Sequence, residues 1–422
     1  LVGSEMCIRD RRICNDYTKN ALEEIGIPEE EFDKYFLKLE NSKVENMDFS
    51  VEDKLFVENF IKKTKGVKSE RTRKILEIQR EWTEQLKKCD EVELYIIKST
   101  VIIAGTCTGF VSNRIIRDVE FDYVIVDEAA KATFPELAVS LNKAHKIILV
   151  GDHQQLPPVL DTEIIRNNKE KLDEEGLAQG IFERMYNMFP EDNKHRLTIQ
   201  YRMHPTIGTL ISHVFYNDEI QNGVEAQDRE LCIEGYEGIA IEWISTSKYS
   251  TKERYEKEFD NNGKKSYQNY LERNIIERKL LELDSKLVKR TKVAVITGYG
   301  SQKYILQTMV KQHSFKHIEV DVDTVDAFQG SQKDIILYST VRSSGNKYGI
   351  GFLKSEARIN VAFSRARCLL IIVGDMKFLD NYKIRGNKFP EIIKYITESE
   401  GCRIIEKLSL IHISEPTRQA EI

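Results

Sequence analysis

From residue 99 onward the chain alternates short apolar runs with amphipathic stretches. STVIIAGT, YVIVDE, KIILVGD and RLTIQY are Ile- and Val-rich, and each ends in polar or turn-forming residues. Unbroken apolar runs of this length predict strands buried on both faces, as in a parallel sheet. A second series follows: GIAIEWIS, KVAVITG, DVDTVDAFQG, DIILYSTVR and CLLIIVGD. Between its members, QKYILQTMVKQH and LKSEARINVAFSRAR carry apolar residues at helical spacing. Two successive β/α series predict an α/β protein with two doubly wound parallel-sheet domains, residues 99–235 and 236–407, joined near 222–238. Residues 12–98 are charged and helix-prone, and predict helices packed on something else or a helical hairpin arm. Residues 246–270 are polar with no packing pattern and predict a loop inside the second domain.

Composition narrows the class. The 422 residues allow two or three domains, and 31% of them are charged. The net charge of −5, from 63 basic and 68 acidic residues, excludes a histone-like polycation but leaves room for a local basic groove. The seven cysteines form no CxxC pair, which suits a reducing, intracellular compartment better than a disulfide scaffold or a zinc site. No apolar run approaches the length of a membrane span. The two ends, LVGSEMCIRDR (1–11) and LSLIHISEPTRQAEI (408–422), match no neighbouring periodicity and resemble translated sequencing-adaptor tails. They are set apart from the fold, with the expectation that the natural chain continues past both.

Candidate chemistry lies at the strand ends. YVIVDE delivers Asp127 and Glu128 to the carboxyl end of a strand, where parallel α/β sheets bind ligands. An Asp there can hold Mg²⁺, and a neighbouring Glu can orient and deprotonate a water. Capping of the next helix is the competing role for both acids. The run KIILVGDHQQLPPVL ends its strand in Gly-Asp, then two glutamines and two stiffening prolines. In QYRMHP, Arg202 can reach a phosphate bidentately, and Tyr201 offers a ring face to a base. In SEARINVAFSRAR, helical spacing would put Arg358, Ala362 and Arg365 on one face.

In this order, DEAA, GDHQQLPP, QYRMHP, VDAFQG and NVAFSRAR resemble motifs II to VI of superfamily 1 helicases. They are most similar to the branch of the nonsense-mediated-decay helicase and senataxin. ISHVFYNDEIQNGV and GIGFLKSEARINVA extend the likeness, and TCTGF (106–110) is similar to motif Ib. The resemblance spans residues 99–407. It implies two RecA-like domains, the first incomplete, with a helical accessory segment at 12–98 and ATP held between the domains. Asp127 would then hold Mg²⁺, Glu128 would activate water, and Gln155 would sense the γ-phosphate. Tyr201 would lie near the adenine, Gln332 near the ribose, and Arg202 and Arg365 would stabilise the transferring phosphoryl group. Thr106, Thr297 and Thr324 would touch the backbone of a single-stranded RNA or DNA. Cycles of ATP-driven domain closure would move that strand. The implied compartment is intracellular, cytoplasm or nucleus.

Three departures stand against the family pattern. No GxxxxGK[ST] phosphate loop occurs, and the family places it ahead of residue 12. Gly298 stands where a proline is usual, and Gln332 where relatives often carry a glutamate. The missing loop motivates the rival reading, a non-hydrolysing module that clamps nucleic acid.

Overall fold

The computed structural model describes residues 90–158 and 180–406, apart from 118, 262–263, 329 and 345–348, together with positions 74 and 78. The expected tails and most of the expected accessory segment lie outside the described residues. The chain divides into two compact units, Leu1–Val124 with Ala138–Lys146, and Ile125–Leu137 with Ile147–Ile422.

In the first unit, α1 (Asp90–Ser99) is followed by α2 (Cys107–Ser112) and α3 (Arg114–Arg117). Capping side chains start both short helices. Gly109 N–H donates to Thr106 Oγ1 at 3.0 Å, and the N–H groups of Ile115 and Ile116 donate to Asn113 Oδ1 at 2.9 and 3.1 Å. The expected strand STVIIAGT does not form: Val101 and Ile102 are exposed and outside any ladder. Its apolar run has no neighbouring strand among the described residues. β1 (Phe121–Val126), α4 (Phe134–Leu141) and β2 (Ala144–Leu149) come next, and the unit division cuts across all three. β1 and β2 pair only with each other among the described residues. Tyr123, Ile125, Ile147 and Ile148 are consequently exposed, where their pattern predicts full burial.

The second unit continues with α5 (Ile181–Met188), β3 (Ile199–Gln200), α6 (Pro205–Phe215) and β4 (Gln221–Asn222), with β3 parallel to β4. His204 and Pro205 start α6 for two reasons. The Thr206 N–H donates to His204 Nδ1 at 3.2 Å, and proline fits the first turn, where its missing N–H costs nothing. Ile207, Leu210, Ile211, Val214 and Phe215 repeat at helical spacing, and all are buried.

The main sheet has six parallel strands. β5 (Ile241–Ser245) leads into α7 (Thr251–Arg254) and an antiparallel hairpin of β6 (Lys257–Asn261) and β7 (Lys264–Gln268). α8 (Tyr270–Lys286), β8 (Thr291–Thr297), α9 (Gly300–Val310), β9 (Ile318–Thr324) and β10 (Lys333–Ser339) follow. α10 (Glu356–Phe363), β11 (Ala366–Gly374), α11 (Met376–Asn381), α12 (Phe389–Glu398) and β12 (Cys402–Ile405) complete it. The strand order is β12-β5-β11-β10-β8-β9. Alternate residues feed two separate cores. Trp243, Ile296, Tyr338 and Ile372 join one with α6, α10 and α12, while Ile244, Val295, Leu337 and Ile371 join the other with α8 and α9. Helices on both faces make the sheet doubly wound, as the apolar runs predict.

Three details differ from the sequence expectation. Residues 246–270 hold a helix and a hairpin, not a loop. Their anchor is polar: buried Glu256 accepts the N–H groups of Ser343 and Ser344 at 3.0 and 2.9 Å, so no apolar periodicity marks it. β12 is a sixth strand, too short to stand out as a run. α10 ends at Phe363, two residues before Arg365, so Arg358 and Arg365 do not share a helical face. Arg358 instead pairs with Asp326 at 3.1 Å. Among the described residues, no helix is long and apolar enough to cross a membrane.

Candidate active site

The end of β1 turns sharply. Glu128 adopts a left-handed backbone, φ 53° and ψ 34°, and its N–H donates to Asp127 Oδ1 at 2.9 Å. The Ala129 N–H then bonds to the Val150 carbonyl at 2.8 Å, and the Ala129 side chain is buried. This pinned turn leaves both acidic side chains exposed. No capping bond to either acid opens the short 3₁₀ turn that follows, so the helix-cap alternative has no support here.

The loop after β2 is pinned in the same way. Asp152 Oδ1 accepts the Gln154 N–H at 2.9 Å, and Asp152 Oδ2 accepts from Gln155 Nε2 at 2.8 Å. That leaves the Gln155 carbonyl oxygen free to face Arg365, whose Nη2 donates to it at 3.1 Å. Arg365 also donates to the carbonyls of Val361 and Ser331, at 3.2 and 3.3 Å. Arg202 lies nearby, with its Nη1 3.3 Å from the Ser364 carbonyl.

The electrostatics are those of an anion site. Burial first, and then the positive charge of Arg202, bring the Arg365 guanidinium down to about 10, while Glu128 opposes the shift. At neutral pH both arginines are charged and neighbours, which is unfavourable unless an anion is shared. Glu128, Gln155, Arg202 and Arg365 thus come together within the second unit from four separate segments, with Asp127 next to Glu128. Tyr201 is exposed beside Arg202, and a side chain on Gly223 would overlap its ring. Gln332 is exposed and follows Ser331, an Arg365 partner.

The three threonines lie elsewhere. Thr297 and Thr324 end β8 and β9 and are register partners, at the carboxyl edge of the sheet. Arg365 precedes β11 at the opposite, amino edge. Thr324 is half-buried, whereas Thr297 is fully buried with no partner for its hydroxyl among the described residues. Thr106 caps α2 in the first unit. Sequence reasoning missed Tyr216 and Asn360. Tyr216 Oη donates to Asp152 Oδ2 at 2.6 Å and accepts from Asn360 Nδ2 at 2.8 Å. Asn360 lies within NVAFSRAR and Tyr216 within ISHVFYNDEIQNGV, both stretches that carry the resemblance, but no spacing marks either residue for chemistry.

Comparison with known proteins bears on the family. Two family models, each described as an AAA domain, match residues 12–163 and 177–377. The regulator of nonsense transcripts 1 homolog of Drosophila melanogaster is 33% identical over 342 residues, covering 79% of this chain and 27% of that protein. The ATP-dependent helicase NAM7 of Saccharomyces cerevisiae is 33% identical over 324 residues, covering 76% of this chain and 31% of that protein. The chain belongs to the superfamily 1 helicases of the nonsense-mediated-decay type.

An uncharacterized ATP-dependent helicase of Methanocaldococcus jannaschii is 29% identical over 358 residues, covering 81% of this chain and 48% of that protein. The chain spans between about a quarter and a half of the lengths of these three relatives. The RecA-like fold of this superfamily accords with the parallel sheet wound on both faces.

Proposed function

We propose that these residues are the motor part of an ATP-dependent helicase or translocase that acts on single-stranded RNA or DNA inside the cell. The observation that carries this reading is the convergence of Glu128, Gln155 and two adjacent arginines, one buried and bonded to the glutamine. A paired guanidinium set beside an amide carbonyl and an exposed carboxylate fits a polyphosphate and an attacking water. The residues also fit Mg²⁺. Asp127 is exposed at the strand exit and offers hard oxygen, and the ion would supply charge neutralisation at the phosphates.

The roles divide as follows. Glu128 orients water and accepts its proton. Gln155, held by Asp152, accepts from Arg365 through its carbonyl oxygen and so aligns the guanidinium with the terminal phosphate. Arg202 and Arg365 meet charge that develops on the transferring group, a contribution of roughly 10³–10⁵ in rate for arginines of this kind. Tyr201 and Gln332 lie on the exposed flanks of this cluster, as adenine and ribose contacts would. Thr106, Thr297 and Thr324 bind the strand backbone. For Thr297 this requires local opening, since the side chain is buried.

The test is nucleic-acid-stimulated ATP hydrolysis by the full-length gene product, with and without Glu128→Gln. The expected result is stimulated turnover that the substitution reduces by at least about a hundredfold. Strand binding with no turnover in the full-length protein would instead establish the rival, a clamp without hydrolysis.

A further inference from the structure

Gln155 can present either end of its amide to Arg365, and only one end is useful. With the carbonyl oxygen forward it accepts from the guanidinium; with the amide nitrogen forward, donor meets donor. A chain of bonds selects the first arrangement. Asp152 Oδ2 takes a proton from Gln155 Nε2 at 2.8 Å, which turns the Gln155 oxygen toward Arg365 Nη2. The same Asp152 oxygen is held by Tyr216 Oη at 2.6 Å. Asn360 Nδ2 donates to Tyr216 Oη at 2.8 Å and to the Gln154 carbonyl at 3.0 Å. Every donor in this chain is assigned: Asn360 can only give protons through Nδ2, so Tyr216 must give its own to Asp152. The hydroxyl stays protonated, because burial and the Asp152 charge both raise its titration.

The connectivity is long in sequence and short in space. Tyr216 closes α6, Asp152 follows β2, and Asn360 lies on α10, which leads directly into Arg365. Asn360 is fully buried. Such a bond set fixes the position of α10 relative to the Gln155 loop.

We propose that Tyr216 and Asn360 are positioning residues for phosphate sensing, fixing the Gln155 amide and its alignment with Arg365 through Asp152. The proposal rests on the ATP reading above. It assigns the pair no contact with nucleotide, so their effect must pass through Gln155.

The test is a double-mutant cycle in the full-length protein. Tyr216→Phe keeps the ring and removes the hydroxyl. It should lower kcat for stimulated ATP hydrolysis about tenfold, the equivalent of one buried hydrogen bond, and leave KM for ATP within about twofold. Asn360→Ala should act in the same direction. In a Gln155→Ala background Tyr216→Phe should have no further effect on kcat, because the group it positions is gone. Affinity for ADP and for a single strand without nucleotide should not change. Additive losses in the cycle, or parallel losses in ADP and strand affinity, would show a general packing role and overturn the proposal. If wild-type protein hydrolyses no ATP, the ATP reading falls and this proposal falls with it. If wild-type is active and the cycle is additive, only this proposal fails.

Discussion

Two residues at the strand exits set the geometry of the candidate site. Glu128 takes a left-handed backbone at φ 53°, a cost of roughly 1–2 kcal/mol for a residue with a Cβ. Strain observed at a proposed catalytic residue fits a site whose geometry is enforced by its surroundings, here by the Ala129–Val150 bond. Gly151 is the complement. A Cβ at that position would lie 2.8 Å from the Ala130 backbone nitrogen and 3.2 Å from the Phe182 ring. Neither the backbone nor the packed ring can withdraw without moving the DE turn. Gly151→Ala should therefore destabilise the protein by about 1–3 kcal/mol in chemical denaturation. Stimulated ATPase should fall even at temperatures where the variant stays folded, and a variant with wild-type stability would show that the turn has slack. At this scale the sequence was legible where a polar pair ended an apolar run, as at Asp127-Glu128 and Gly151-Asp152. Tyr216 and Asn360 were not, because a lone Tyr at a helix end or a lone Asn within a helix looks the same whether it closes a network or meets solvent.

Elements are held together by a buried polar network at the carboxyl edge of the main sheet. Arg342 N–H bonds to the Thr340 carbonyl at 2.8 Å across Val341, whose φ is 68°. That is a classic-type γ-turn, rare and strained, and more so for a β-branched residue. The start of α8 holds it from both sides. Glu272 accepts the Val341 N–H at 2.9 Å and the Ser339 hydroxyl at 2.6 Å, and Asn269 Nδ2 donates to the Val341 carbonyl at 3.1 Å. Burial raises the Glu272 carboxyl to about 8 from its ordinary 4.5, against the bonds that favour ionisation. The folded state therefore binds a proton more tightly than the unfolded chain. The resulting stability is fully present below about pH 4.5 and is lost as pH rises through about 8. At about 1.4 kcal/mol per pH unit, this is an effect of a few kcal/mol. Glu272→Gln should flatten the pH dependence of urea stability in that window, and an unchanged slope would rule the group out as its source. The strand series of the second domain was readable because its residues are buried on both faces. The hairpin at 257–268 was not, since its anchor is Glu256 against Ser343, Ser344 and Arg342, which no periodicity reports.

Across the whole second unit, two apolar cores on opposite faces of one sheet do most of the stabilising, and a buried ion cluster fixes how the edge strand joins them. Glu242 on β5 is fully buried. It is 3.1 Å from Lys279 Nζ on α8, accepts from Arg403 Nε on β12 at 2.9 Å, and takes the Tyr236 hydroxyl at 3.0 Å. Arg403 is also its register partner and covers the Tyr236 ring at 4.4 Å. Burial pushes the Lys279 ammonium down, but Glu242, Tyr236 and Glu282 together outweigh it and hold the lysine charged. The cluster thus links a central strand, an edge strand and a covering helix through one carboxylate. Removing one partner of such a set leaves an uncompensated buried charge, at a cost of about 3–5 kcal/mol. Glu242→Gln should show that loss in equilibrium unfolding, because Lys279 would keep one carboxylate, the partly exposed Glu282 at 2.8 Å, besides the neutral Tyr236 hydroxyl at 3.1 Å. Replacing both Glu242 and Lys279 by Met should recover most of it, since apolar volume in place of a buried pair is often neutral. Recovery would mean the ions specify where β12 and α8 dock and add little net stability. A double variant as unstable as Glu242→Gln would mean that Arg403, left without its carboxylate, is the charge whose burial matters, and that β12 is held to the sheet chiefly through it.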